Sequence, residues 1–186
     1  MKRRDFLTAI PLLGSATALA ATTEVAKKKS FRVAHLTDIH LKPGEIPEKG
    51  MAKALHAAQS LKPKPDFIIN SGDSIMDALE ADKPSVATQW KLFHQLLQQE
   101  NSLPVYPAIG NHDIWGWFNK NEQDKQDTVY GKQWAVDELK LSKRYYSFEK
   151  ENWVFIILDS TQLNPNGGYI AYLDDDQLNW LKEKLS

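Results

Sequence analysis

Three short apolar segments, each running directly into polar side chains that can bind metal, constrain this chain more than any other feature. They are FRVAHLT at 31–37, DFIIN at 66–70 and LPVYPAI at 103–109. Each has the composition of a buried strand. Between them, apolar residues recur at helical spacing over 47–61 and 87–99. Strand, helix, strand, helix, strand is the order of a mostly parallel sheet covered by helices, so the sequence predicts an α/β fold.

The second half of the chain predicts a further set of elements. A helix is expected near 132–139, and RYYSFEK at 144–150 and NWVFIILDS at 152–160 have the composition of two adjacent strands. Their closeness indicates a hairpin that turns at 151–152. Apolar residues at helical spacing predict a closing helix over 174–185.

The absence of cysteine narrows the chemistry available to any site. With no Cys among 186 residues, disulfides, thiolate metal sites and a cysteine nucleophile are excluded, and a metal must be held by nitrogen and oxygen ligands. The 23 basic and 24 acidic side chains nearly cancel, to a formal net charge of −1. No excess of positive charge indicates a nucleic-acid surface or a basic membrane patch, so we expect neither partner.

Residues 1–20 have the layout of an export signal, with a basic start, an apolar middle and small residues before a polar stretch. We expect cleavage after Ala20. The apolar middle is short and contains Pro11, which argues against a stable membrane span. Arg3 and Arg4, followed by Asp-Phe-Leu, resemble the twin-arginine signal, which would make the twin-arginine export machinery a partner. The alternative is an ordinary secretory signal that carries two arginines. Both predict an exported protein, periplasmic or extracellular.

The polar residues that follow the first three predicted strands form one candidate site. Asp38 and His40 follow the first strand, Asp73 the second, and Asn111 and His112 the third. Asp and Asn after a strand are ordinary turn residues when they occur alone. Three such groups at the carboxyl edge of one parallel sheet are better explained by a functional site, because binding and catalytic residues of α/β proteins are usually found at that edge. Clustered oxygen and imidazole ligands suit Mn, Fe or Zn, preferably as a pair.

The motifs DxH at 38–40, GD at 72–73 and GNHD at 110–113 resemble the calcineurin-like metallophosphoesterase family, in that order and at similar separations. The resemblance covers about 31–186. It implies an α/β sandwich of mixed, mostly parallel sheets flanked by helices, of which this chain supplies the N-terminal portion. It also implies a hydrolase that binds two divalent or trivalent metal ions and acts on a small-molecule phosphate ester.

The resemblance also implies a role for each residue of the candidate site. The first metal would take Asp38, His40 and Asp73, and the second would take Asp73 as a bridge together with Asn111. A hydroxide shared between the metals would attack phosphorus, and His112 would donate a proton to the leaving oxygen. The chemistry is consistent, because a metal pair lowers the pKa of bound water and imidazole is a suitable acid near neutral pH.

Two departures from the family pattern affect these expectations. Met76 stands where some branches place an aspartate that partners the histidine, and Asp77 comes one residue later. The family also supplies further histidines downstream, whereas the five histidines here are His35, His40, His56, His94 and His112. After a polar linker at 21–30, we therefore expect one metallophosphoesterase domain over 31–186 that is incomplete at its C-terminus and weakly active or inactive alone.

Several alternatives stay open at this point. Phosphodiester hydrolysis is the first hypothesis; a phosphomonoesterase or nucleotidase, or a truncated, non-catalytic, metal-poor domain, is the alternative. Trp115, Trp117 and Phe118 either line a substrate cleft or pack the loop. Asp113 either orients a neighbour or caps a turn. His35 is expected in the core or near the site, His56 and His94 on the surface or in packing. The acids at 174–176 are interpreted as a helix cap rather than a calcium site.

Overall fold

The computed structural model describes residues 30–118 and 121–186. The predicted export signal and nearly all of the predicted linker lie outside the described residues. The elements, in chain order, are β1 (Val33–Leu36), α1 (Glu45–Gln59), β2 (Phe67–Asn70), α2 (Lys83–Glu100), β3 (Val105–Pro107), α3 (Lys132–Glu138), β4 (Tyr146–Lys150), β5 (Trp153–Ile157), β6 (Thr161–Leu163), β7 (Tyr169–Ala171) and α4 (Asp175–Leu185). Short 3-10 turns occupy Asn111–Asp113 and Asp124–Gln126.

The first three strands form the predicted parallel sheet, in the order β1-β2-β3. Leu36 pairs with Asn70, and Asn70 pairs with Pro107, so all three strands end at nearly the same level. This register is what brings the residues after each strand to one edge. The α/β prediction is confirmed.

Other elements pack against both faces of the parallel sheet. Successive residues of a strand point to opposite faces, so neighbouring residues contact different layers. Ile68 faces the helices, where it belongs to a buried core with Leu55 of α1 and Trp90 of α2. Phe67 and Tyr106 face the antiparallel β4–β5 hairpin instead. There the rings of Tyr106 and Phe148 stack with centroids 3.6 Å apart, and Phe67 meets Phe148 edge-on at 5.7 Å. The result is a sandwich of helices, parallel sheet and hairpin.

Helix boundaries differ from the sequence prediction at one instructive place. The second helix was expected from Ala87, but α2 begins at Lys83. Asp82 caps it by accepting a hydrogen bond from the Ser85 N–H at 2.8 Å, and Pro84 occupies the first turn. Residues 83–85 are mostly polar, so their capping chemistry indicates the true start, and the buried Val86 continues the apolar spacing of Trp90 and Phe93 toward it.

The C-terminal part confirms two predictions and adds one element. The β4–β5 hairpin turns between Lys150 and Trp153, as expected. Asp174 caps α4 by accepting from the Gln177 N–H at 3.0 Å, which supports the capping interpretation of these acids. The small antiparallel hairpin of β6 and β7 was not predicted, because strands of three residues carry too little alternation to be recognised.

Among the described residues, no helix combines the length and the apolar character that crossing a membrane requires.

Candidate metal centre

The loops that follow β1 and β2 run side by side and are joined through their backbones. The N–H groups of Asp38 and His40 donate to the carbonyls of Gly72 and Asp73, at 3.2 and 2.9 Å. The Leu41 N–H continues this ladder to Ser74 at 3.2 Å. Backbone hydrogen bonds therefore place the DxH motif directly beside Asp73.

Three residues of the candidate site hold a backbone conformation that L-residues rarely adopt. Asp38, His40 and Asp73 have φ values of 53°, 48° and 54°. They are three of the five non-glycine residues with positive φ among those the structure describes. Such strain persists only where surrounding contacts enforce it, and it concentrates at functional sites.

The loop after β3 packs against Asp73 so closely that two positions must be glycine. A Cβ atom on Gly110 would lie 2.1 Å from Asp73 Oδ1 and 2.2 Å from the Asp73 nitrogen. A Cβ atom on Gly72 would lie 2.7 Å from the Gly110 Cα. Through this approach the His112 N–H donates to Asp73 Oδ1 at 2.9 Å.

Three side chains converge where these loops meet. His40, Asp73 and His112 each offer one ligand atom, and the three atoms lie within 4.8 Å of one another. The imidazole rings of His40 and His112 are 4.5 Å apart and nearly perpendicular. This group contains two of the predicted ligands, and it adds His112, for which the sequence predicted only an acid role.

Asp38 borders this group from its exposed side. Its Oδ1 lies 3.6 Å from His40 Nε2, and its side chain is 64% exposed. Its other oxygen accepts a hydrogen bond from the Thr37 hydroxyl at 2.6 Å. That bond lowers the pKa of Asp38, an effect that the nearby His40 reinforces, so the carboxylate is ionised and available as a ligand near neutral pH.

The ring of His112 is oriented by a backbone carbonyl. Its Nδ1 lies 2.5 Å from the carbonyl oxygen of Met76. Because a carbonyl only accepts, Nδ1 must carry the proton, and Nε2 is left to bind a metal or to exchange a proton. The main chain of Met76 therefore orients the ring, although position 76 carries no carboxylate. Asp77 instead accepts from the Glu80 N–H at 3.2 Å.

Asp113 fastens the loops after β2 and β3 together. It is fully buried, and its two oxygens accept from the N–H groups of Ser74, Ile75 and Gly110 at 2.8, 3.2 and 2.9 Å. Burial raises the pKa of Asp113 to about 7, against the lowering effect of these hydrogen bonds. Both interpretations of this residue hold, since it closes the local turn at Gly110 and also fixes the neighbouring loop.

Asn111 opens the 3-10 turn that contains His112 and is half-buried. This position is compatible with a ligand of a second metal, and that role stays a prediction. The same applies to the individual roles assigned to the other candidate residues.

Trp115, His56 and His94 have partners outside this group, whereas His35 lies beside one of the loops of the site. Trp115 is buried, and its Nε1 donates to the Ala81 carbonyl at 3.1 Å, so it packs the loop. His56 and His94 pair on the surface with Glu100 and Glu138. The remaining histidine, His35, is exposed and lies 2.9 Å from the Ser71 hydroxyl, which makes it a neighbour of the site rather than a core residue.

The fold and these donors together define an α/β protein with a candidate metal centre of nitrogen and oxygen donors at the carboxyl edge of a parallel sheet. A family model described as calcineurin-like phosphoesterase matches residues 31–185. The chain therefore belongs to the calcineurin-like phosphoesterases, which are metal-dependent hydrolases of phosphate esters. A search of curated proteins found no match.

Proposed function

We propose that this protein is an exported phosphodiesterase that uses two metal ions held at the candidate metal centre. The observation that carries the proposal is the convergence of His40, Asp73 and His112, with the Asp38 carboxylate beside them. The segment GDSIMD at 72–77, which resembles bacterial phosphodiesterase branches of the family, supports a diester as substrate.

The donor geometry around His40 fits a metal better than it fits hydrogen bonding. Its Nε2 lies 3.6 Å from an oxygen of Asp38 and 3.6 Å from an oxygen of Asp73, which is too long for a hydrogen bond. Its Nδ1 is buried and has no hydrogen-bond partner within the described part of the chain. Two ligand atoms on one zinc-type ion stand about 3.4 Å apart, close to the separations seen here.

Each residue then has a defined task. His40 and Asp38 would hold one ion, Asp73 would be shared, and Asn111 would help to hold the second, with Mn, Fe and Zn as the candidates. When bound, the ions supply charge that neutralises phosphate oxygens and an acidified water. His112, with Nδ1–H held by Met76, would act as the doubly protonated imidazolium, giving its Nε2 proton to the oxygen of the leaving alcohol and becoming the neutral ring.

The proposed export rests on the sequence of residues 1–20. Replacing Arg3 and Arg4 together by lysine should block passage through a twin-arginine route. N-terminal sequencing of the exported protein should start after Ala20. Accumulation in the exported fraction at the original level would instead favour an ordinary secretory signal.

The function is tested by metal analysis together with hydrolysis of two substrates, bis(4-nitrophenyl) phosphate and 4-nitrophenyl phosphate. We expect bound metal, weak hydrolysis with the higher kcat/KM on the diester, and loss of both metal and activity after chelation. Faster hydrolysis of the monoester would assign the protein to phosphomonoesterases. Absence of both metal and turnover would leave a metal-poor domain and overturn the proposal.

A matched pair of variants controls this test. His40→Asn removes a proposed ligand and should lower metal content and rate together. His56→Asn removes a histidine of α1 that pairs with Glu100 at 2.6 Å, outside the centre, and should change neither.

A further inference from the structure

A second concave site lies beside the segment that leaves the metal centre. It is a cavity of about 310 Å³, which we call the Trp117 cavity. The lining residues used below are Trp117, Tyr130, Lys132, Arg144, Gln162 and Asp174. Its volume is at the lower end of the range of small-molecule sites, and its mixture of aromatic and polar groups is typical of them.

Two short connections tie this cavity to the metal centre. Trp117 follows His112 by five residues, so their Cα atoms are at most about 18 Å apart. Arg144 precedes Tyr146 by two residues, and the Tyr146 hydroxyl donates at 2.9 Å to the carbonyl of Pro107, the last residue of β3. Both walls of the cavity are therefore connected through a few residues to the edge of the sheet that carries the candidate metal centre.

The charged groups of the cavity are fixed and cancel one another. Asp159, which is 0% exposed, pairs through Oδ2 with Lys132 Nζ at 2.6 Å and with Arg144 Nη1 at 2.8 Å. The other Nη of Arg144 pairs with Asp174. Two cations and two carboxylates thus form one network of zero formal charge, which offers oriented hydrogen-bonding groups without a net attraction for an anion.

Gln162 completes this network. Its Oε1 accepts from Lys132 Nζ at 3.2 Å, and its Nε2 donates to the Asp159 carbonyl at 3.1 Å. The network is buried on its far side, where Gln177 bonds both the N–H and the carbonyl of Asp159, at 2.7 and 2.8 Å. Polar groups held this firmly cannot rotate away from a ligand. An apolar ligand would therefore bury N–H donors of the network without giving them an acceptor, which is unfavourable.

Aromatic rings form the other wall. Lys132 Nζ lies 5.5 Å from the centre of the Trp117 ring. A Cβ atom on Gly131 would lie 3.0 Å from Trp117 Nε1, so the indole packs directly on the backbone next to Tyr130. Flat rings that face a fixed polar network suit a ligand with one apolar face and a rim of hydroxyl groups.

We propose that the Trp117 cavity binds a neutral, hydroxyl-rich ring, such as a sugar or cyclitol, carried as one alcohol group of the phosphodiester substrate. The substrate assignment rests on the proposed function, whereas the binding of the ring does not. The zero charge of the network disfavours an anionic ligand, and its fixed donors disfavour an apolar one.

Binding is tested by calorimetry with free ring compounds, which needs no catalysis. Glucose, ribose and myo-inositol represent the neutral polyols, glucuronate an anionic counterpart and cyclohexanol an apolar one. We expect saturable binding of at least one polyol, and a Kd raised about tenfold or more in Trp117→Leu. Trp153→Leu, which removes a tryptophan that is 63% exposed on β5, should bind as the unaltered protein does.

Other outcomes of this titration would overturn the proposal. These are the absence of binding for all three polyols, tighter binding of glucuronate, or equal binding of cyclohexanol. If Trp117→Leu fails to fold by circular dichroism, Tyr130→Leu takes its place, since Tyr130 lines the same wall. Unchanged polyol binding in a folded variant would place the ligand elsewhere.

The substrate assignment is tested with two diesters that share 4-nitrophenol as the leaving group. One carries a methyl group and the other carries glucose through its 6-oxygen. The unaltered enzyme should prefer the glucose diester by about tenfold in kcat/KM, and Trp117→Leu should remove this preference by lowering kcat/KM for the glucose diester more than for the methyl diester. Polyol binding without any preference would overturn the substrate assignment. No hydrolysis of either diester would instead contradict the proposed function, and the calorimetry would still decide what the cavity binds.

Discussion

The main-chain N–H of His112 donates to Oδ1 of Asp73 at 2.9 Å, while Oδ2 of the same carboxylate faces His40 Nε2 at 3.6 Å. One carboxylate therefore fixes the turn after β3 with one oxygen and presents the other to the metal centre. A change at Asp73 should affect both the position of the turn and the binding of metal.

Asp73→Asn tests this double role. We expect lower metal content and a lower kcat/KM, because the amide is a weaker ligand and one of its two terminal atoms no longer accepts the His112 N–H. Elemental analysis and a diesterase assay measure the two effects. Asp82→Asn provides a control, since Asp82 caps α2 outside the centre. Full occupancy and the original rate in Asp73→Asn would remove Asp73 from the ligand set.

His112→Asn separates two functions that the geometry allows. If His112 acts as the acid, kcat should fall by about 10²–10⁴ while metal content is retained. The loss should be smaller on a substrate with a very good leaving group, because its departing oxygen needs little protonation. Loss of metal together with equal losses on good and poor leaving groups would show that Nε2 is a ligand instead.

Asp113→Asn should destabilise the fold without removing a proposed ligand. Both carboxylate oxygens of Asp113 accept backbone N–H groups, and an amide can offer only one oxygen in their place. A buried donor facing another donor typically lowers stability by about 1–3 kcal/mol, which urea unfolding would measure. Asp77→Asn should change stability by far less, because the Asp77 carboxylate accepts a single, exposed hydrogen bond from the Glu80 N–H. If both variants unfold at the same urea concentration, Asp113 does not hold the loops after β2 and β3 together.

Two glycine-to-alanine substitutions should have opposite effects, one disturbing the metal centre and the other stabilising the protein. Gly110→Ala places a Cβ atom 2.1 Å from Asp73 Oδ1, so the loop must move and metal binding should be lost. Gly50→Ala, within α1 and with nothing within 4 Å of the added atom, should stabilise the protein by about 0.5–1 kcal/mol. Thermal unfolding and metal titration of both variants provide the comparison. Undiminished metal affinity in Gly110→Ala would show that the close approach is dispensable.

The sequence predicts the sheet and much of the candidate site for one physical reason. Parallel strands of matched length end at one edge, so Asp38, His40 and Asp73 could be placed together from their positions after two predicted strands. The orientation of His112 could not be predicted, because it depends on the carbonyl of Met76, and every residue has a carbonyl. The network around Asp159 was missed for a similar reason, since its partners are far apart in sequence and come together only through the tertiary fold.

The left-handed backbone at Asp38, His40 and Asp73 has a consequence for whether the protein folds before it binds metal. Each such residue raises the energy of the folded chain by about 1–2 kcal/mol, and the ladder between the two loops is the opposing contribution. The donors are thus arranged by the chain itself, in contrast to small zinc domains that fold only when the ion binds. We therefore expect folding and metal loading to be separable events. The ion should find its ligands already in place, and its identity should depend on which metal the compartment supplies and how well that metal tolerates the fixed spacing.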